Sequence, residues 1–184
     1  MKYNINFLNR RSIRLKHYDY SQQGAYFVTI CTEYRQCLWG EIKHDQMLLN
    51  HLGSIALQCW LEIPLHFPSV ELDVFVIMPN HLHGILWIKE SVNKEEQYNK
   101  FQKVVKGSIP SIVRSFKGAV TRKINQICQQ KGTSLIWQRN YHEKIIKDEE
   151  MLNNVREYIV NNPRNWEKDS EYSSSKNIII DLPF

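Results

Sequence analysis

The sequence has 184 residues, 42% of them hydrophobic and 23% charged, so it can bury a core without disulfide staples. No apolar run approaches the ~20 residues that a membrane-spanning helix needs, and the opening MKYNINFLNRRSIR lacks the apolar stretch of a secretory leader. The four cysteines (Cys31, Cys37, Cys59, Cys128) show no CxxC spacing and read as thiols of a cytoplasmic chain rather than a disulfide frame or a zinc knuckle.

The net charge is only +5, but it is unevenly spread. Residues 1–18 carry five basic groups and no acid, and residues 97–142 carry nine and again no acid. Carboxylates would repel a phosphate backbone, so acid-free basic stretches are what a nucleic-acid partner requires. A solvated basic face without a ligand would show the same charges.

Taken in chain order, residues 1–23 form a basic arm in which Tyr18 and Tyr20 are interleaved with the cations. The β-branched and aromatic run Ala25–Thr32 predicts a strand. Cys37–Lys43 and Met47–Asn50 predict a weaker hairpin around His44 and Asp45. Apolar residues at Leu52, Ile55, Ala56, Cys59, Trp60 and Ile63 have helical spacing, so a helix is expected over Leu52–His66, with Pro64 and Pro68 marking its end. Val70–Met78 is a second strand, Pro79 and Asn80 a turn, and His81–Ile88 a third strand.

Residues 89–110 are polar and read as a long loop. Ser111–Gln130 is an amphipathic helix with Ile112, Val113, Phe116, Val120, Ile124 and Ile127 as its apolar stripe. Leu135–Ile146 is extended or irregular. Asp148 can cap a last helix, which Pro163 should stop at Asn162. The tail, residues 168–184, is expected to pack loosely. Helices interleaved with antiparallel strands in this order give an α+β architecture of the split βαβ type, an antiparallel sheet with helices on one face. The folded domain is expected over residues 24–167.

Two features carry chemistry. His81 and His83 flank Leu82 in a strand, so both imidazoles leave the same face and can converge on one metal ion. On the last helix, Leu152, Val155 and Ile159 form the buried stripe, and Tyr158 and Asn162, one turn apart, lie on its edge. Tyr158 could reach a groove, and Asn162 could offer an amide oxygen. Each also has an ordinary structural explanation: packing for the tyrosine, helix termination for the asparagine.

The segment Met78-Pro79-Asn80-His81-Leu82-His83-Gly84-Ile85 resembles the His-hydrophobe-His signature of the HUH single-tyrosine transposases. Tyr158-Ile159-Val160-Asn161-Asn162-Pro163 resembles the YIxxNP box of their REP-associated branch, and Arg10–Thr32 and Trp137–Ile146 are similar to the same branch. The resemblance spans roughly residues 10–167 and implies a ferredoxin-like fold acting on single-stranded or hairpin DNA. It implies that His81 and His83 hold a divalent metal, magnesium or manganese, and that Tyr158 is the nucleophile of a covalent 5′-phosphotyrosine intermediate. Asn162 stands where relatives carry a glutamine as third ligand.

On this reading Arg10, Arg11, Arg14, Arg114, Lys117, Arg122 and Lys123 hold the DNA backbone. Tyr18, Tyr20, Trp87 or Trp137 could stack on unpaired bases, although core packing suits the two tryptophans better. A homodimer is compatible with the family. The alternatives are a DNA-hairpin-binding protein without catalysis, and a small-molecule metallohydrolase that would need Glu71, Asp73 or Glu143 beside the histidines. Tyr141 is the reserve nucleophile.

Overall fold

The computed structural model describes residues 18–89, 105–129 and 136–172. Most of the basic arm, with Arg10, Arg11 and Arg14, lies outside the described residues, as do residues 90–104 of the polar loop and the tail beyond residue 172.

Six strands are present: β1 (Gly24–Cys31), β2 (Gly40–Lys43), β3 (Gln46–Leu49), β4 (Val70–Ile77), β5 (His81–Ile88) and β6 (His142–Ile146). The helices are α1 (His51–Leu61), α2 (Ile63–His66), α3 (Ile109–Ile127) and α4 (Glu149–Asn161). The main sheet has the order β4-β5-β1-β6 and every pairing in it is antiparallel, while β2 and β3 form a separate hairpin. Strand β5 is inserted between β1 and β4, which run parallel to each other. This is the split βαβ arrangement that the sequence order predicts, with helices packed on the sheet.

Side-chain alternation sorts the sheet into two faces. Tyr26, Val28 and Ile30 of β1, with Leu82, Leu86 and Ile88 of β5, enter the main core beneath α1 and α3. Trp60 of α1 locks this core, with its ring 5.3 Å from Phe116 of α3 and 5.9 Å from Phe75 of β4. Gly84 makes the packing possible, because a Cβ there would meet Trp60 Cζ2 at 2.4 Å. The opposite face presents Ala25, Phe27, Ile85 and Trp87 to Leu152, Val155 and Ile159 of α4.

Three local departures from the sequence expectation have simple causes. The helix expected over Leu52–His66 divides at Glu62, because Pro64 supplies no N–H to continue the ladder. Helix α3 begins at Ile109, since Pro110 is tolerated in a first turn. In β4 the register shifts between Leu72 and Phe75, so the consecutive residues Asp73 and Val74 both serve the α4 face.

Asp73 uses that bulge to pin α4. Its carboxylate accepts from Arg156 Nη2 at 2.7 Å, Arg156 Nε at 3.1 Å and Trp87 Nε1 at 3.0 Å. Hydrogen bonds from Arg156, then Trp87, hold its acid down at about 2 against the opposing effect of burial. At its start α4 is capped by Asp148, which accepts from Met151 N at 2.8 Å. Among the described residues no helix is long and apolar enough to cross a membrane.

Candidate metal centre and tyrosine helix

The site is built where the β4–β5 turn meets the end of β1. Met78 N donates to His81 O at 2.8 Å, and Thr32 N donates to Asn80 O at 2.8 Å. This fixes the register that sets His81 opposite Cys31 and His83 opposite Thr29. Both imidazoles leave the α4 face, with ring centroids 4.4 Å apart, while Leu82 enters the opposite core. Both histidines are buried.

The orientation of His81 follows from its neighbour. Asn80 Nδ2 donates to Arg35 O at 3.2 Å and to Glu171 O at 2.8 Å, so Asn80 Oδ1 must be the acceptor that faces His81 Nδ1 at 2.8 Å. His81 therefore carries its proton on Nδ1. Burial first, and then the neighbouring His83, pull its pKa down to about 3, so the ring stays neutral. Its Nε2 lone pair is buried and has no hydrogen-bond partner. His83 is oriented in the same way, with Nδ1 2.8 Å from Thr29 Oγ1 and Phe27 stacked on the ring at 5.3 Å.

The tyrosine of α4 comes to this pair. Tyr158 Oη lies 3.2 Å from His83 Nε2, and the two ring centroids are 5.1 Å apart. Tyr158 remains 42% exposed and stands between two open grooves of about 350 and 390 Å³. A phosphate can therefore reach the hydroxyl from solvent.

Asp169, which the sequence reading leaves in the tail, completes the cluster. After α4 the chain turns through a short 3₁₀ segment, Trp166–Lys168, and returns Asp169 to the site. Its side chain is fully buried. Oδ2 accepts from Tyr158 Oη at 3.0 Å and from Asn162 Nδ2 at 2.5 Å, and Oδ1 accepts from Glu171 N at 2.6 Å. Burial alone would raise this acid, but the His83 imidazole 3.8 Å away and the hydrogen bonds from Asn162 and the Glu171 amide hold it well below the carboxylate range. Burial, followed by the Asp169 charge, pushes the Tyr158 phenol above its ordinary value.

Ligand atoms of His81, His83 and Asp169 lie within 4.8 Å of one another, a set that could hold a metal ion. The donors fit that purpose. The unpartnered His81 Nε2 is joined by Asn162 Oδ1, a second buried acceptor without a donor. Two acceptors with nothing to accept are what a cation satisfies and what an apolar core would not tolerate. A carboxylate beside two imidazoles also brings a hard oxygen donor to the site.

The basic residues are distributed differently. Arg114 and Arg122 are exposed on α3, which packs on the sheet face away from the histidines. On the same helix, Lys117 Nζ donates to Gln138 O at 2.8 Å and Asn140 O at 3.1 Å, and Lys123 pairs with Glu62 at 3.2 Å. Burial lowers the Lys117 ammonium to about 8. Among the stacking candidates, Trp137 packs 4.9 Å from Trp39, Tyr20 is buried, and Tyr18 bonds Tyr26. Tyr141 is buried, with Lys117 Nζ 5.7 Å from its ring centroid.

The three acids named for hydrolase chemistry are elsewhere. Glu71 pairs with Lys89 and Asp73 with Arg156, while Glu143 sits opposite Val28 on the other face of the sheet. The sequence reading passed over Asp169, Asn80, Thr29 and Arg35. Only Asn80, inside the turn before the histidines, stood next to a recognisable signal.

No family model matches the sequence. A protein of Haemophilus influenzae, itself uncharacterized, is 49% identical over 181 residues, covering 93% of this chain and 97% of its own length. Among solved structures, a REP-associated tyrosine transposase bound to a REP hairpin aligns with a TM-score of 0.58. That alignment is at 19% identity and covers 84% of this chain and 74% of the other. The chain belongs to one family with the Haemophilus influenzae protein, and its fold is that of the REP-associated tyrosine transposase.

Proposed function

We propose that this chain is a transposase-type DNA strand transferase that cuts and rejoins single-stranded or hairpin DNA through a covalent 5′-phosphotyrosine at Tyr158. The observation that carries the reading is the 3.2 Å approach of the Tyr158 hydroxyl to His83 Nε2, beside a cluster suited to a cation. The fold of a hairpin-bound transposase supports DNA as the partner.

His81 Nε2, His83 and an oxygen of Asp169 or Asn162 would hold a magnesium or manganese ion, which polarises the scissile phosphate when bound. The chain's own residues do the rest. Phe27 and His83 hold the Tyr158 ring in place, and the hydroxyl proton points at Asp169 Oδ2. When the phenol oxygen bonds to phosphorus, the bond from phosphorus to the 3′-oxygen breaks. The phenol proton passes toward Asp169, and the leaving 3′-oxygen takes a proton from water to become a hydroxyl. The phosphotyrosine keeps the energy of the broken bond, so a 3′-hydroxyl can reverse the step and join a new strand without ATP. Arg114 and Arg122, with Arg10, Arg11 and Arg14 of the arm, are proposed to hold the DNA backbone.

A hairpin-binding protein without catalysis is the second reading. It is favoured by the raised Tyr158 phenol, whose proton Asp169 holds in place. One assay separates the two: the protein, manganese and a labelled hairpin with a single-stranded flank. Strand transfer gives a denaturant-resistant protein–DNA adduct that is lost with Tyr158→Phe and with EDTA. No adduct, or an equal adduct from Tyr158→Phe, refutes Tyr158 as the nucleophile.

A further inference from the structure

We infer that Tyr34, on the turn after β1, is a stacking platform for an unpaired base in the single-stranded flank of the DNA. The inference rests on the strand-transferase reading for its ligand, but on different residues. Tyr34 is 74% exposed, more than any other aromatic side chain among the described residues. It is also held in an unusual backbone state. Tyr34 and Arg35 have φ of 51° and 53°, two consecutive left-handed residues with full side chains and no glycine.

The turn keeps that conformation because it is bonded on every side. Glu33 N donates to Ile136 O at 2.9 Å, Arg35 N to Thr32 O at 3.2 Å, and Thr32 Oγ1 to Gln36 O at 2.8 Å. Arg35 is anchored further by its ion pair with Glu171 and by donation to Ser170 O at 3.2 Å. A left-handed bulky residue that the fold holds in this way is a reason to look for function, because a relaxed turn would be easier to build. The product here is a fixed backbone that presents an aromatic ring to solvent, with only two side-chain torsions left to order on binding.

The platform is tied to the chemistry through one side chain. Asn80 fixes the His81 ring through Oδ1 and holds Arg35 O and Glu171 O through Nδ2. Tyr34 and Tyr172 therefore each adjoin one member of the Arg35–Glu171 pair. Tyr172, 41% exposed, packs 5.1 Å from Trp166, which lies 5.9 Å from His81. Exposed tyrosines on segments that Asn80 ties to His81 fit flat unpaired bases, and stacking tolerates any base identity. A duplex, with its bases already stacked, gains nothing from them.

The test is equilibrium binding of the full chain in EDTA to a hairpin with a single-stranded flank, the same hairpin with abasic flank positions, and a blunt hairpin. Asparagine accepts the left-handed region, so Tyr34→Asn keeps the turn and removes the ring. Tyr34→Asn is expected to bind the flanked hairpin roughly ten-fold more weakly, Tyr34→Trp about as well as the natural protein, and both to bind the blunt hairpin unchanged. The natural protein should lose the same factor on the abasic flank, and Tyr34→Asn should not distinguish the two flanks. Tyr34→Asn binding like the natural protein, or still discriminating the abasic flank, overturns the inference. A Tyr158 adduct with no Tyr34 effect sinks only the platform. A Tyr34 effect without an adduct sinks only the transferase, and no DNA binding at all sinks both.

Discussion

Acidification should destabilise this fold through one ring, His81. In the folded chain the ring is fully buried, with its proton on Nδ1 and its pKa near 3 against an ordinary 6.5. The unfolded chain takes up a proton below 6.5 and the folded chain does not. Stability contributed by neutral His81 is thus complete above 6.5 and is lost as the pH falls toward 3. The two values bound the loss at about 5 kcal/mol, or about 1.4 kcal/mol for each pH unit between them. Asn162 Oδ1 and Asp169 are the groups that would receive a proton on Nε2, and both already oppose the depression.

Urea denaturation in EDTA, from pH 7 down to pH 4, reads this slope directly. His81→Asn is the reference, since its amide N–H can replace the Nδ1 donation to Asn80. Below pH 6.5 the natural chain should come to lose about 1.4 kcal/mol per pH unit more than His81→Asn, with no difference in slope above it. Equal slopes would show that His81 titrates normally, and the argument for a neutral, open Nε2 would fail with it.

Two further outcomes follow from the same geometry. Asp169→Asn removes the only carboxylate of the cluster while keeping its shape, so manganese affinity measured by calorimetry should fall by roughly ten-fold or more; unchanged affinity would remove Asp169 from the cation's surroundings. Gly84→Ala pushes a methyl against Trp60 and should cost about 1–3 kcal/mol, lowering the melting temperature by roughly 3–10 °C; a neutral effect would mean that Trp60 can yield.

Much of this was legible in the sequence because it is periodic. The alternation in His81–Ile88 gave that strand its full extent and put both imidazoles on one face. The stripe of Leu152, Val155 and Ile159 placed Tyr158 correctly on the edge of α4. Asp169 escaped because a non-periodic turn after Pro163 brings it back, and no spacing rule marks such a return. The surroundings of the lysines were not legible for another reason. Lys117 and Lys123 contribute to the same acid-free run as Arg114 and Arg122, yet one is satisfied by backbone carbonyls and the other by Glu62. Charge counted along a chain does not distinguish a cation turned inward from one turned to a phosphate.

The bidentate hold of Asp73 on Arg156 fastens α4 against the very sheet that carries the histidines. In this chain the phenol that meets the imidazoles is its own, 3.2 Å from His83 Nε2. Under the proposed chemistry, each molecule can carry one DNA end at a time. With that arrangement kept in solution, a copy lacking its phenol and a copy lacking its imidazoles, mixed together, should form no adduct.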